Sequence, residues 1–275
     1  MQIAVHQMTS GLDPEHNVSA MAKAIAASAK AGCTFYFAPE MSTLIDRDRT
    51  RGRQHISAES GSGALGRLTA LASRHNIWLH LGSIPVVHEN GDKLANRTIV
   101  VGNDGRIKAR YDKMHLFDID LASGESWRES SAYAGGEQPV AVQTPLGLMG
   151  LAICYDMRFP DLFSAYAKSG VDIITLPSAF TVPTGEAHWH SLLRARAIES
   201  ESFVIAAAQC GVHEDGRRTY GHSLVVDPWG KVVLDMGDTP GLAFVDLDLG
   251  SIAEVRQQIP VHANRRSIVA PFIAG

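Results

Sequence analysis

A cysteine, a glutamate and a lysine each stand where an apolar run gives way to polar residues. In LMGLAICYDMRFP, residues 148–160, the run 148–153 is long enough for a buried strand and stops at Cys154. Phe159-Pro160-Asp161 then reads as the first turn of a helix, with proline near its start. Cys154 would lie at the carboxyl end of a strand and face a helix N-terminus, whose N–H groups and dipole favour a thiolate. The run 34–38 likewise leads into Pro39-Glu40, and the run 106–111 into Asp112-Lys113. Ligands of open α/β folds collect at the carboxyl ends of strands, so these three side chains could meet at one edge.

Their chemistry is complementary. Glu40 would take the thiol proton as general base and later activate water, while Cys154 would attack a carbonyl carbon to form a thioester. Lys113, cationic, would stabilise the thiolate and, with the backbone N–H of Tyr155, the tetrahedral oxyanion; losing one such donor costs about 3–4 kcal/mol. Taken singly, each has a plainer reading. Cys154 alone is a small core hydrophobe, Glu40 a solvated loop charge and Lys113 a surface cation.

The elements that must position this set come in two similar halves. The first reads as strand 2–7, helix from about 14 to 31, strand 34–38, helix from about 64 to 75 and strand 77–84. The second reads as strand 148–153, helix from about 160 to 169, strand 172–176, helix from about 187 to 199 and strand 203–208. Each half next carries a hairpin: 97–101 and 106–111 around Gly102-Asn103-Asp104-Gly105, then 222–226 and 231–235 around Asp227-Pro228-Trp229-Gly230. Glycine permits positive φ and proline fixes φ in these turns. Strands such as IAVHQM and DIITL are apolar on both faces, which suits sheets covered on both sides. The expected class is α/β: a four-layer αββα sandwich of two mixed sheets with an internal pseudo-two-fold repeat. No linker or low-complexity tract interrupts residues 1–275, so one domain is expected. A strand 241–246 and a helix from about 249 to 258 precede an arm, 259–275, that needs something to pack on.

Composition narrows the partners. A formal charge of −4, from 25 Lys+Arg against 29 Asp+Glu, gives no electrostatic case for nucleic acid or an anionic membrane, and leaves small molecules as the expected ligands. Three widely spaced cysteines suggest neither a disulfide framework nor a zinc site, and fit a reducing compartment. With no basic leader and no apolar window of membrane length, the expectation is a cytoplasmic protein.

Together, Ala38-Pro39-Glu40, YDKMHLFD at 111–118 and ICYDMRFP at 153–160 make the chain resemble the nitrilase superfamily of carbon–nitrogen hydrolases, in order and over essentially its whole length. The resemblance implies a Glu–Lys–Cys triad that hydrolyses amides or nitriles without a cofactor or a metal, in a protein that dimerises or assembles further. It also implies a second glutamate near the nucleophile, which nominates Glu129, with Glu125 as competitor, to position Lys113 or the attacking water. PSAFTVPTGEAH at 177–188, LLRARAIES at 192–200 and AAAQC at 206–210 resemble the deaminated-glutathione amidase branch, with the ω-amidases as nearest relatives. By that resemblance the substrate is an α-ketoglutaramyl amide, Arg158 clamps its α-keto acid end, and Phe180 and Thr184 line the same pocket. A guanidinium suits that role because its planar fork matches a carboxylate. An inactive member kept as an interaction scaffold is the rival from another class; the intact Glu40, Lys113 and Cys154 argue against it.

Other residues invite readings that their spacing does not support. His188 and His190 are two apart on an expected helix and point to different faces, and no histidine is singled out as a base for Cys154. Gly61-Ser62-Gly63 and Gly135-Gly136 lack the strand–turn–helix context of a phosphate site and read as loops. Cys33 and Cys210 read as structural.

Overall fold

The computed structural model describes residues 1–120, 124 and 126–273. In the first half, β1 (Gln2–Gln7), α1 (Pro14–Lys30), β2 (Phe35–Phe37), α2 (Arg49–Arg53), α3 (Gly63–His75), β3 (Trp78–His80), β4 (Ile84–Val87), β5 (Leu94–Val101) and β6 (Ile107–Asp112) follow one another. Asp13 caps α1 by accepting the Glu15 N–H, and Pro14 opens its first turn. Ser62 caps α3, and Asn76, in the left-handed region, closes it. A small ribbon, β7 (Asp118–Asp120) and β8 (Ser126–Arg128), leads to the second half. There β9 (Val140–Thr144), β10 (Gly147–Leu151), α4 (Pro160–Lys168), β11 (Ile173–Thr175), α5 (Val182–Ser200) and β12 (Phe203–Ala206) follow. A second ribbon, β13 (Cys210–Val212) and β14 (Arg218–Tyr220), precedes the hairpin β15 (Leu224–Val226) and β16 (Val232–Asp235). Then come β17 (Gly241–Asp246), α6 (Gly250–Gln258) and α7 (Val261–Asn264).

The pseudo-repeat is visible in the pairing. In the first sheet β1, β2 and β3 are parallel, β5 returns antiparallel to β3 and β6 antiparallel to β5. In the second sheet β10, β11 and β12 are parallel, β15 returns antiparallel to β12 and β16 antiparallel to β15. Each sheet is closed on its far side by an antiparallel strand, β17 against β1 and β9 against β10.

Side-chain alternation along the strands builds the four layers. Ile3, Val5, Phe35 and Phe37 join the cluster of the second sheet, whereas Ala4 and Tyr36 join that of α1 and α3. Leu162, Phe163, Trp189 and Leu193 of α4 and α5 cover the second sheet. Gly150 faces Tyr166 of α4, leaving no room for a larger residue, so Met149 and Leu151 face the other sheet. Between the sheets, His80 meets the Thr175 hydroxyl at 2.9 Å, and burial pushes the His80 imidazole down to about 3, keeping it neutral.

Several boundaries differ from expectation. The strand expected over 77–84 is two strands, because Gly82 turns with φ of +66° between β3 and β4. Helix α5 begins at Val182, ahead of the expected 187, with Pro183 in its first turn. β4, α2, β9 and both ribbons lie outside those expectations, and the arm contains α7, after which its described residues have no regular secondary structure. No helix of the described residues is long and apolar enough to cross a membrane.

Candidate active site

β2, β6 and β10 end at the same edge and deliver Glu40, Lys113 and Cys154 to one point. The Lys113 Nζ donates to Glu40 Oε1 at 3.0 Å and to Glu129 Oε2 at 2.9 Å. The Cys154 thiol lies beside the Glu40 carboxylate, whose charge acts on it, and Glu40 Oε2 accepts the backbone N–H of Ala179 at 2.8 Å. Asn96 on β5 bridges the two glutamates, donating to Glu40 Oε1 at 2.9 Å and Glu129 Oε1 at 3.2 Å. Glu129 Oε2 accepts in addition from the Phe117 N–H at 2.7 Å. Glu40, Lys113 and Cys154 are all buried.

Charge states follow from this packing. Burial alone would push the Lys113 ammonium down, but the carboxylates of Glu129 and Glu40 hold it well above its ordinary value. Burial would push Glu40 up, and the charge and hydrogen bond of Lys113, with the neighbouring Cys154 thiol and the bond from Asn96, hold it below. Burial and then the Glu40 carboxylate push the Cys154 thiol well up, against the smaller pull of Lys113 and the Ala179 N–H. The resting site is therefore carboxylate, ammonium and thiol. This corrects the expectation of a helix-stabilised thiolate: Cys154 opens a short 3₁₀ turn, Cys154–Arg158, and α4 begins only at Pro160.

The turn that presents Cys154 is strained and heavily tied. Cys154 has φ of +48°, in the left-handed region that a residue with a Cβ rarely adopts, and its N–H is held by the Pro177 carbonyl at 3.0 Å. Asp156, fully buried, accepts from the Tyr111 hydroxyl at 2.7 Å, the Ile153 N–H at 2.9 Å, the His115 N–H at 3.0 Å and His115 Nδ1 at 2.7 Å. One carboxylate thus fastens the Lys113 segment to the Cys154 turn.

Asn96, Asp156 and Gly82 have no place in the sequence reading, and Gly136 enters it only as loop. Asn and Asp between apolar neighbours, in LANRTIVV and ICYDM, were the available signals, since a buried polar group needs partners. A Cβ on Gly82 would lie 1.8 Å from the Pro39 carbonyl oxygen, directly beneath Glu40. A Cβ on Gly136 would lie 2.1 Å from the Asp112 carbonyl oxygen, and the Gly136 N–H donates to the Lys113 carbonyl at 2.9 Å. Gly136 is loop, as expected, but a loop that braces the lysine.

A cavity of about 320 Å³ opens over the thiol and is lined by Phe180 and Thr184 as well as by Glu40, Lys113, Glu129 and Cys154. Tyr155 follows Cys154 in the turn, its ring edge-on to Phe117 at 5.1 Å and to Phe159 at 5.3 Å. Arg158 is not among the lining residues. Side chains three apart eclipse in a 3₁₀ turn, so residue 158 falls to one side of Cys154. Its guanidinium lies over the Phe180 ring at 5.3 Å, with Nη1 3.3 Å from His188 Nδ1. Glu125 lies outside the described residues. His115 belongs to Asp156 and stacks on Phe159, and His190 pairs with Asp235, away from His188. Cys33 and Cys210 are buried, and burial pushes the Cys33 thiol up to about 11.

Residues 2–257 match the carbon–nitrogen hydrolase family. The deaminated glutathione amidase of Bos taurus is 42% identical over 273 residues, covering 96% of this chain and 81% of that protein. Among solved structures, Saccharomyces cerevisiae Nit3, a member of branch 10 of the nitrilase superfamily, superposes with a TM-score of 0.85 at 30% identity, over 94% of each chain. The Caenorhabditis elegans NitFhit protein superposes with a TM-score of 0.87 at 37% identity, over 96% of this chain and 65% of that longer one. By this match along nearly its whole length, and with the four-layer nitrilase-like fold around it, the chain belongs to the carbon–nitrogen hydrolase family, as an enzyme acting on amides.

Proposed function

We propose that the protein is an amidase that cleaves deaminated glutathione to α-ketoglutarate and cysteinylglycine, through a thioester on Cys154. The observation that carries this reading is the Glu40 carboxylate bonded to the Lys113 ammonium and facing the same cavity as the Cys154 thiol, in a chain whose relatives bear that activity in their names. Glu40 takes the thiol proton as Sγ bonds to the amide carbon, and Lys113 Nζ with the Tyr155 N–H holds the oxyanion that forms. Glu40 returns the proton to the departing nitrogen as the C–N bond breaks, leaving the acyl group on Sγ. It then removes a proton from the water that attacks the thioester, and the thiol leaves with that proton. Glu129 positions Lys113. Phe180 and Thr184 wall the acyl end, and Arg158, behind Phe180, turns in to meet its carboxylate.

The reading includes a single hydrolase domain in the cytoplasm, in keeping with three free thiols. It also includes a homodimer: Ile268, Val269, Phe272 and Ile273 in the C-terminal arm are more than four-fifths exposed, and a second copy would cover them. Light scattering that gives a monomer removes the dimer. For the substrate, the purified protein is offered deaminated glutathione and α-ketoglutaramate side by side. Faster turnover of the first supports the reading, and faster turnover of the second makes the protein an ω-amidase.

A further inference from the structure

We propose that Arg217 and Arg47, set against Trp127, form a carboxylate-binding subsite for the amine half of the substrate, which they hold by its terminal carboxylate. The inference rests on the reading above, since it takes the leaving group to be a dipeptide with a free carboxyl end.

All three residues line the cavity that holds Cys154. The Arg217 guanidinium lies 4.8 Å from the Trp127 ring centre and that of Arg47 5.7 Å from it. Most other charges of the lining are already matched. Glu40 and Glu129 share Lys113, Asp46 is held in two places by Arg51, and Arg128 is paired with Asp120 at 2.7 Å. Arg49, Arg53 and Arg218 make no ion pair among the described residues, but Arg49 donates to the Arg128 carbonyl at 2.6 Å and Arg53 to that of Ile56 at 3.1 Å.

Arg217 and Arg47 are different. The Arg217 Nε is buried and has no partner among the described residues, and its contact with Asp215 is long, at 3.4 Å. Asp215 is already engaged, because its oxygens accept the backbone N–H groups of Arg47 at 2.8 Å and Arg217 at 2.9 Å. Arg47 makes no ion pair among the described residues. Two guanidinium groups set against one indole at the cavity wall, Arg217 half-buried with a buried donor unspent and Arg47 exposed, fit a planar anion from the ligand.

The subsite is built before a ligand arrives. The turn 213–217 is closed by the His213 N–H on the Arg217 carbonyl at 2.8 Å and anchored through His213 Nδ1 to Ser10 at 2.8 Å. Glu214 accepts the Leu12 N–H at 3.0 Å. A fixed fork loses little entropy on binding, so the contact favours affinity for any leaving group that ends in a carboxylate.

The test varies the substrate and the enzyme together. Wild type and the Arg217→Gln, Arg217→Lys and Arg47→Gln variants are assayed with α-ketoglutaramyl-cysteinylglycine and with the same compound amidated at its glycine carboxyl. Wild type should prefer the free acid at least tenfold in kcat/KM, chiefly through KM; Arg217→Gln should lose that preference, and Arg217→Lys and Arg47→Gln should keep part of it. Equal handling by wild type, or an undiminished preference in Arg217→Gln, overturns the subsite. If wild type cleaves no α-ketoglutaramyl amide, the functional reading has failed, and calorimetry on Cys154→Ala protein judges the subsite separately. Cysteinylglycine that binds at least fivefold tighter than its amide, with the difference lost in Cys154→Ala/Arg217→Gln, supports it; equal binding overturns it.

Discussion

The hydroxyl of Tyr111 donates to the fully buried carboxylate of Asp156 at 2.7 Å, and this bond ties the strand that ends in Lys113 to the turn that begins with Cys154. The same carboxylate serves Ile153 and His115, the residues just before the thiol and just after the ammonium's own strand end. Distance between Lys113 and Cys154 is thereby set from outside the reacting groups. Asp156→Asn keeps the shape but replaces an acceptor-only group with one that must also donate. The backbone N–H on the replaced oxygen, of Ile153 or of His115, then loses its acceptor, at a cost of about 1–3 kcal/mol. Chemical denaturation should show that loss, and kcat should fall with KM nearly unchanged. A variant as stable and as fast as wild type removes Asp156 from this role.

Replacing Glu40 separates its two effects. Glu40→Gln deletes the proposed base and should lower kcat by roughly 10²–10⁴. It also deletes a negative charge beside the thiol, which is pushed up first by burial and then by that carboxylate. The thiol should consequently ionise at lower pH in the variant than in wild type, read as thiolate ultraviolet absorbance against Cys154→Ala. An unchanged or higher ionisation point contradicts the charge assignment, whatever happens to the rate.

The pH profile should have a wide plateau. The proposed mechanism needs Glu40 ionised and Lys113 protonated, and these are the forms the site favours: Glu40 is held below its ordinary 4.5 and Lys113 well above its ordinary 10.5. The acid limb of kcat/KM belongs to the cluster as a whole and should have its midpoint below 4.5. Stability follows the same signs. Glu40, lower in the folded state, contributes above its unfolded value and loses that contribution as pH falls through its folded one; Lys113, higher in the folded state, contributes below its unfolded value and loses it as pH rises through its folded one. Glu129→Gln removes one of the two anions facing Lys113, so the alkaline limb should move down and kcat should drop. An acid limb near pH 6–7 would point to a histidine instead of Glu40.

Glu40, Lys113 and Cys154 could be read along the chain because each follows its own apolar run, and strand ends in this class gather on one edge. The pairing of two like sheets was readable for a related reason: both halves repeat the same order of strands, helices and a hairpin with glycine turns. What could not be read was whatever depends on groups far apart in sequence. Asn96 lies in the middle of a strand and meets Glu40, 56 residues away, only across the sheet. The start of α5 was hidden because Pro183 and Gly185 look like loop residues. Gly185 is glycine for a packing reason, since a Cβ there would lie 2.2 Å from the Tyr220 ring on β14. The split of β3 from β4 was hidden in the same way, in a glycine whose neighbour is the peptide before Glu40.

Gly82 gives the sharpest test of how backbone packing supports the proposed base, Glu40. Its φ of +66° and a Cβ position 1.8 Å from the Pro39 carbonyl oxygen leave no place for any side chain. The neighbouring Ser83 extends the support, with its N–H on that same carbonyl at 3.2 Å and its hydroxyl accepting the Met41 N–H at 3.0 Å. In Gly82→Ala the methyl group must displace Pro39-Glu40, because the obstacle is backbone and cannot rotate away. We expect a loss of about 3 kcal/mol, which in a chain of this size lowers Tm by roughly 6–12 °C. We also expect kcat to fall at least tenfold in the protein that remains folded, since a base moved by an ångström loses its alignment with the thiol. Gly91→Ala is the control. Gly91 has φ of +80° but nothing within 4 Å of its Cβ position, so it carries the left-handed strain without the collision. That variant should lose about 1 kcal/mol and keep its kcat. Equal losses of rate in the two variants would mean that strain alone, and not the contact beneath Glu40, accounts for the effect.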